Sequence, residues 1–368
     1  MCPCKREIDV AISVVICYIE HLKIVLNFLE ELFVKKCLCL LLACGLLLSG
    51  CGGTVPEVEP SDQLKVVATI FPAYDFARAA AGDLAEVELL LPPGTESHSY
   101  EPTPADILAV QDCDLFVYLG GETDTWVETI LESIEMRGTA LRMIDCVELL
   151  EEEHVEGMQM APGHSHEHDG EECHEEHHHE EEESDHPGLG EVVGMDEHVW
   201  TSPVKAAEIT VAIGEKLAEV DEANADRYVA NAIAYASQIT ALDTQFRDFF
   251  ENLPDRTIVF GDRFPLRYFA EEYDLDYYAA FPGCGTQTEP SAATVAFLTG
   301  KIMEEQIPTI WYIEFSNHLV ADSIAEAAGV ETAMFHTCHN VAKAEMESGV
   351  TYLSLMENNL KTLKNCMR

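Results

Sequence analysis

The feature that most limits what this chain can fold into is a long helical stretch near 225–253. No Gly or Pro interrupts residues 215 to 253, and Pro254 ends the run. Apolar or small residues recur at Ala225, Tyr228, Ala232, Tyr235, Ile239, Leu242, Phe246 and Phe249, in steps of three and four. That spacing gathers them on one helical face. About 30 residues at 1.5 Å each span roughly 45 Å, enough to cross two small lobes. Short apolar runs near 64–70, 87–91, 115–119 and 140–144 precede it, alternating with helical stretches near 73–81, 104–111 and 124–135. The rhythm returns after it, with runs near 257–260, 276–281, 309–315 and 331–335 between helical stretches near 265–273, 290–306 and 317–328. Alternating βα units with buried strands require parallel sheets. The expected class is α/β: two similar lobes, each a mostly four-stranded parallel sheet flanked by helices, joined by one long rigid helix. A coiled-coil dimer seam is the rival reading of the stripe. Its alanine-rich face, isolated between βα units, favours a packed connecting helix and a monomer.

The remaining boundaries follow from composition. Residues 1–50 read as a signal region, 51–63 as a tether, 64–220 as the N-terminal lobe, 221–253 as the connecting helix and 254–368 as the C-terminal lobe. Residues 37–48 form an apolar run after Lys35 and Lys36, too short to span a bilayer but suited to the core of a secretory signal. The run ends in Leu48, Ser49, Gly50 and Cys51, similar to a bacterial lipobox in which the Cys is lipidated and becomes the new N-terminus. The preceding 33 residues carry scattered glutamates rather than a basic leader, as expected if translation starts near Val34. The chain is therefore expected outside the cytoplasm, held to the bacterial membrane through a lipid on Cys51.

The balance of 21 basic against 67 acidic residues gives a formal charge of −46. Such a field repels phosphate backbones and excludes nucleic-acid binding. Its natural attractant is a cation. Residues 151–197 concentrate the effect, with 18 acidic residues and no basic one, and nine of the 15 histidines lie between His154 and His186. Neutral imidazoles in an acidic field suit borderline divalent metals, zinc above all. The stretch cannot bury enough apolar surface to order itself, so it is expected to be a mobile metal-contacting loop rather than a defined site.

Two further histidines stand in stiff loops that lead into helices. His98 follows Pro92, Pro93 and Gly94 and precedes Thr103 and Pro104, a cap and first position for the next helix. His198 precedes Ser202 and Pro203, which open another. Ligands in open α/β folds often sit in such loops.

The order of these pieces resembles a known family. A lipobox, a G-x-x-x-H-x-Y-E-P-T-P stretch (94–104), an acidic His loop, an H-V-W-x-S-P stretch (198–203) and a T-Y-L-S-L-M-x-x-N-L stretch (351–360) are similar to the metal-binding lipoproteins of zinc and manganese ABC importers. The resemblance covers roughly residues 64–368. It implies a metal held in the cleft between two lobes, delivery to an ABC permease and ATPase complex, and no enzymatic activity. The His-rich loop, as a local collector or sensor, tilts the metal toward Zn2+, with Mn2+ the less expected cargo.

The resemblance also implies where the ligands fall. The first two land on His98 and His198. The third, usually a His, aligns with Arg263, whose guanidinium cannot donate to a metal. The place of the fourth, an acid, is taken by His336. The expected set is thus His98, His198 and His336, with water, Asp262 or His339 completing it. Cys338 stands beside this site and Cys284 follows the neighbouring strand. A disulfide between them would tie two site loops together and stabilise by roughly 4 kcal/mol. The rival reading is Cys338 as a thiolate ligand. Cys113 and Cys146 are a second, weaker candidate pair.

Two other function classes fit parts of the pattern. Three His with an open position also suit a zinc hydrolase. Neither H-E-x-x-H nor G-x-S-x-G occurs, which argues against it. A lipid-anchored metal buffer or cell-adhesion protein without a transporter is the third.

Overall fold

A computed structural model describes residues 63–95, 100–121, 124–158, 194–283 and 289–367. All of them lie in one unit, Gln63–Arg368. The first lobe contains β1 (Leu64–Ala68), α1 (Phe71–Ala81), β2 (Ala85–Leu89), α2 (Pro104–Asp112), β3 (Leu115–Tyr118), α3 (Thr125–Ser133), β4 (Thr139–Arg142) and α4 (Pro203–Val220). A connecting helix, α5 (Ala225–Glu251), follows. The second lobe contains β5 (Ile258–Phe264), α6 (Arg267–Tyr273), β6 (Tyr277–Pro282), α7 (Ala292–Glu305), β7 (Thr309–Ile313), α8 (Leu319–Ala328), β8 (Glu331–Phe335), α9 (Lys343–Ser348) and α10 (Tyr352–Cys366). Among the described residues no helix is long and apolar enough to cross a membrane.

The two sheets have the same topology, β2-β1-β3-β4 and β6-β5-β7-β8, and every pairing is parallel. Each therefore switches direction between its two central strands, β1 and β3 in one lobe, β5 and β7 in the other. The expected α/β class with two four-stranded lobes is what the chain adopts. Most strand ends move by no more than two residues from the sequence expectation, but β5, expected at 257–260, runs four residues further, to Phe264. The first-lobe run at 87–91 shifts to 85–89, in register with Leu64–Ala68 of β1.

Helix starts follow local chemistry. Thr103 accepts from the Asp106 amide and forms a capping box with it, and Ser202 accepts from the Lys205 amide. The 27 residues of α5 span about 40 Å. Tyr228, Ala232, Ile239, Leu242 and Phe246 are buried along it, as the stripe predicts, while Phe250 rather than Phe249 takes the last buried place. Gly214 on α4 lets the two helices meet, since a Cβ there would lie 2.3 Å from Ala232 Cβ. One continuous apolar core runs from Val66 and Phe76 through Tyr228 and Phe246 to Phe269 and Trp311. The lobes are thus joined by shared packing as well as by covalent linkage. Helix α10 was not anticipated from the sequence, and it seals this core with Tyr352, Leu355, Met356, Leu360 and Leu363.

The ends of the acidic His-rich stretch are pinned by an antiparallel bridge between Glu151 and Met195 and by the Glu152 amide donating to the Gly194 carbonyl (2.8 Å). His154, at its start, is exposed. The histidines from His164 to His186 lie outside the described residues.

Candidate metal centre

The site forms where the carboxyl ends of both sheets face each other. A cavity of about 70 Å3 opens there, lined by His198, Glu314, His339, Arg263, Thr95 and Asn340 among others. His198 enters from the first lobe, one residue before a 3-10 turn (Val199–Thr201) that runs into α4. It is 1% exposed. Its Nδ1 lies 3.0 Å from Asp196 Oδ1, and its backbone amide donates to the same oxygen at 2.8 Å. A carboxylate on Nδ1 holds the proton there and leaves the Nε2 lone pair free for a cation, an arrangement common behind metal-binding imidazoles. Burial pulls the His198 pKa down, but Asp196 beside it, with Glu197 and Glu152, raises it above the ordinary value.

Gly283, at the end of β6, allows this approach. A Cβ at 283 would sit 3.2 Å from His198 Cε1 and 3.1 Å from the Phe264 carbonyl.

The second lobe contributes Glu314 and His339. Glu314 follows β7 directly, at the switch point of its sheet, where ligands of open α/β folds gather. Thr337 pins its carboxylate, donating from its amide (2.7 Å) and its hydroxyl (2.5 Å). His339 stands in the loop after β8, its ring 6.2 Å from that of His198 and 5.0 Å from that of Trp200, which itself lies 5.4 Å from His198. Among the described residues no three His, Cys, Asp or Glu side chains are close enough to hold a metal as they stand. The donors surround the cavity rather than converge.

His336 behaves differently from the expectation. Its Nδ1 accepts the Cys338 amide (3.0 Å), and its Nε2 is buried with no hydrogen-bond partner, 3.9 Å from Glu345 Oε2. It lies behind the cavity wall rather than in it, because Cys338 adopts a left-handed backbone (φ +64°) that turns the loop and presents His339 instead. Burial lowers the His336 pKa, but Glu314 and Glu345 raise it overall. Asp262 is also turned away. Its carboxylate accepts the Arg263 amide (2.8 Å) and the Ile313 amide (3.4 Å), which spends it on backbone groups. Arg263 lines the cavity at the position where the family resemblance expects a His.

Glu314 and Asp196 were missed by sequence reasoning. A signal existed for Glu314, an acid closing an otherwise apolar strand in the sequence Ile310, Trp311, Tyr312, Ile313, Glu314. His98, Cys284 and Cys51 lie outside the described residues. Cys338 is a buried free thiol, donating to the His336 carbonyl at 3.7 Å, so the expected bridge from Cys338 to Cys284 is not formed. Cys113 and Cys146 are both free, so the weaker first-lobe pairing does not form. Their thiols instead point at the Val110 and Arg142 carbonyls.

Two parallel-sheet lobes on one helix, with imidazole and carboxylate donors facing across the cleft, define a receptor for a small cation. A family model for the periplasmic zinc-uptake complex component A (ZnuA) matches residues 66–366. The chain is 30% identical over 332 residues to the high-affinity zinc uptake system protein ZnuA of Bacillus subtilis (strain 168), covering 88% of this chain and 95% of that one. It is 31% identical over 333 residues to the zinc-binding lipoprotein AdcA of Streptococcus pneumoniae serotype 4, covering 89% of this chain. There it spans only 60% of the relative's length. The crystal structure of the Zn(II)-bound ZnuA-like domain of that species' AdcA matches with a TM-score of 0.64 at 28% identity, over 83% of this chain and 99% of that one. The metal-dependent lipoprotein YcdH of Bacillus subtilis matches with a TM-score of 0.65 at 27% identity, over 83% and 99%. The chain belongs to the zinc-uptake complex component A family of extracytoplasmic solute-binding proteins. That family is a transporter component and not an enzyme, which sets the hydrolase reading aside. Laminin-binding neighbours are 21–22% identical and share the fold alone.

Proposed function

We propose that this chain captures Zn2+ outside the cytoplasm and delivers it to a membrane permease driven by an ATPase. The observation that carries the reading is His198, its Nδ1 engaged by Asp196, facing Glu314 and His339 across the cleft. His98, which the sequence motif points to, is the fourth donor. Three neutral imidazoles and one carboxylate form a tetrahedral nitrogen-rich set that suits zinc better than manganese, which favours oxygen. The names of the relatives, a high-affinity zinc uptake protein and a zinc-binding lipoprotein, support the same cargo. A lipid on Cys51 would hold the protein at the membrane, and it would act as a monomer.

The test is zinc affinity by chelator competition on the mature protein. His198→Ala, Glu314→Ala and His339→Ala are each expected to weaken binding by about 100-fold or more, and His336→Ala by less than His339→Ala. Wild-type affinity in the Glu314 and His339 variants would refute this ligand set. Tighter binding of manganese than zinc would refute the cargo.

A further inference from the structure

One side-chain amide bridges the two lobes at an edge of the cleft. Asn340 lies in the second lobe, one residue beyond His339, and is 3% exposed. Its Nδ2 donates to the Pro92 carbonyl and to the Thr95 carbonyl, both at 2.8 Å and both in the first lobe. Its Oδ1 accepts the Val341 amide at 2.8 Å. All three contacts require one orientation of the amide, since the flipped group would set its oxygen against two carbonyls. A backbone bond from the Gly94 amide to the Val341 carbonyl (2.8 Å) runs alongside.

Both sides of this contact are stiff. In the first lobe, Pro92 and Pro93 restrict the chain, Gly94 takes φ +81°, and the Thr95 amide closes a turn onto Pro92 (3.1 Å). In the second, Asn359 grips both backbone groups of His336, accepting from its amide (2.9 Å) and donating to its carbonyl (2.7 Å). The His336 ring then holds the Cys338 amide, fixing the left-handed turn that delivers Asn340. The loop after β8 is therefore a preformed platform whose contact with the 92–95 loop runs through the Asn340 side chain and the Val341 carbonyl.

We propose that Asn340 is an inter-lobe latch, a positioning residue that touches no metal but holds the first-lobe loop against the cleft and so sets how fast the cation escapes. The proposal rests on the zinc-binding reading above. Opening the cleft at this edge breaks the two Asn340 bonds together with the Gly94 bond, while the Phe71 amide on the His339 carbonyl (3.2 Å) and Trp200 Nε1 on the Thr337 carbonyl (2.9 Å) still hold the rest of the loop to the first lobe. A latch slows release and leaves capture nearly unchanged, because the incoming ion meets the open form.

The experiment measures zinc association and dissociation by stopped flow in wild-type protein, Asn340→Ala and Asn340→Asp. Hydrogen exchange of the Gly94 amide in the metal-free proteins is read alongside. The alanine variant is expected to release zinc about 10-fold faster and the aspartate variant about 100-fold faster, because a carboxylate faces two carbonyls. Association should stay within about 2-fold. Gly94 should exchange faster in both variants while the β3 amides keep wild-type protection. Should the aspartate variant not fold, the alanine variant decides alone. Unchanged Gly94 exchange, or an equal speeding of Gly94 and β3, overturns the latch. Release rates within 2-fold of wild type overturn it as well. If wild-type protein binds no zinc, the zinc reading fails, and Gly94 exchange still decides the latch.

Discussion

Asp124→Asn tests how the buried charge behind the site is handled. Asp124 sits at the switch point of the first-lobe sheet, 4% exposed, where its Oδ2 accepts the Leu119 amide (2.8 Å), the Gly120 amide (3.3 Å) and the Thr69 hydroxyl (3.3 Å). Burial, and after it the neighbouring Glu197 carboxylate, push its pKa from 3.8 up to about 7, against the pull of these hydrogen bonds. The folded protein therefore holds a proton on Asp124 that the unfolded chain gives up near pH 3.8. The stability linked to this group is full below that pH and is lost as pH rises toward 7. The whole displacement is worth about 4 kcal/mol, of which about 2 kcal/mol falls between pH 5.5 and 7. Asparagine keeps an acceptor for the two amides and removes the ionisation. Urea unfolding of both proteins, with chelator present to remove ligand linkage, should show the variant gaining about 2 kcal/mol on the wild type between pH 5.5 and 8.5. Groups remote from Asp124 cancel in that difference. A difference constant within about 0.5 kcal/mol would mean that Asp124 is ionised throughout, and the reasoning would fail.

Zinc affinity should fall as pH drops, because a proton on His198 Nε2 excludes the metal, and the fall should begin above the ordinary histidine range since Asp196 raises the His198 pKa. Asp196→Asn should weaken zinc binding about 10- to 100-fold at pH 8 and shift the fall to lower pH. Competition titrations from pH 5.5 to 8.5 check both, and an unmoved profile would remove Asp196 from its orienting role. Gly283→Ala should lower zinc affinity more than it lowers stability, because the new methyl meets His198 Cε1 at 3.2 Å and displaces a ligand at a strand end. Its cost in unfolding free energy should stay within about 1–3 kcal/mol.

Fold and site were legible to different degrees. The stripe through Tyr228, Ala232, Ile239, Leu242 and Phe246 foretold α5, since a helix buries every third or fourth residue whatever its tertiary partner. His198 was legible for a similar reason: Ser202 and Pro203 start α4, so the residue four places before the cap stands at a helix mouth. Helix α10 was not, because its buried face serves a core assembled from both lobes. The choice among His336, Cys338 and His339 was also beyond the sequence. Three residues within four positions of an irregular loop have no period to reveal which one faces inward.

The sequence by itself determined the α/β class, the paired lobes, the rigid connector and a taste for borderline divalent cations, because each depends on local periodicity, local caps or residue composition and net charge. Only the tertiary structure decided that Glu314 and His339 line the cleft while His336 and Asp262 turn to the backbone. Those roles depend on a left-handed turn at Cys338 and on Thr337 reaching Glu314 across 23 residues of sequence. Contacts of that kind are set by packing, which brings distant residues together without leaving a local pattern.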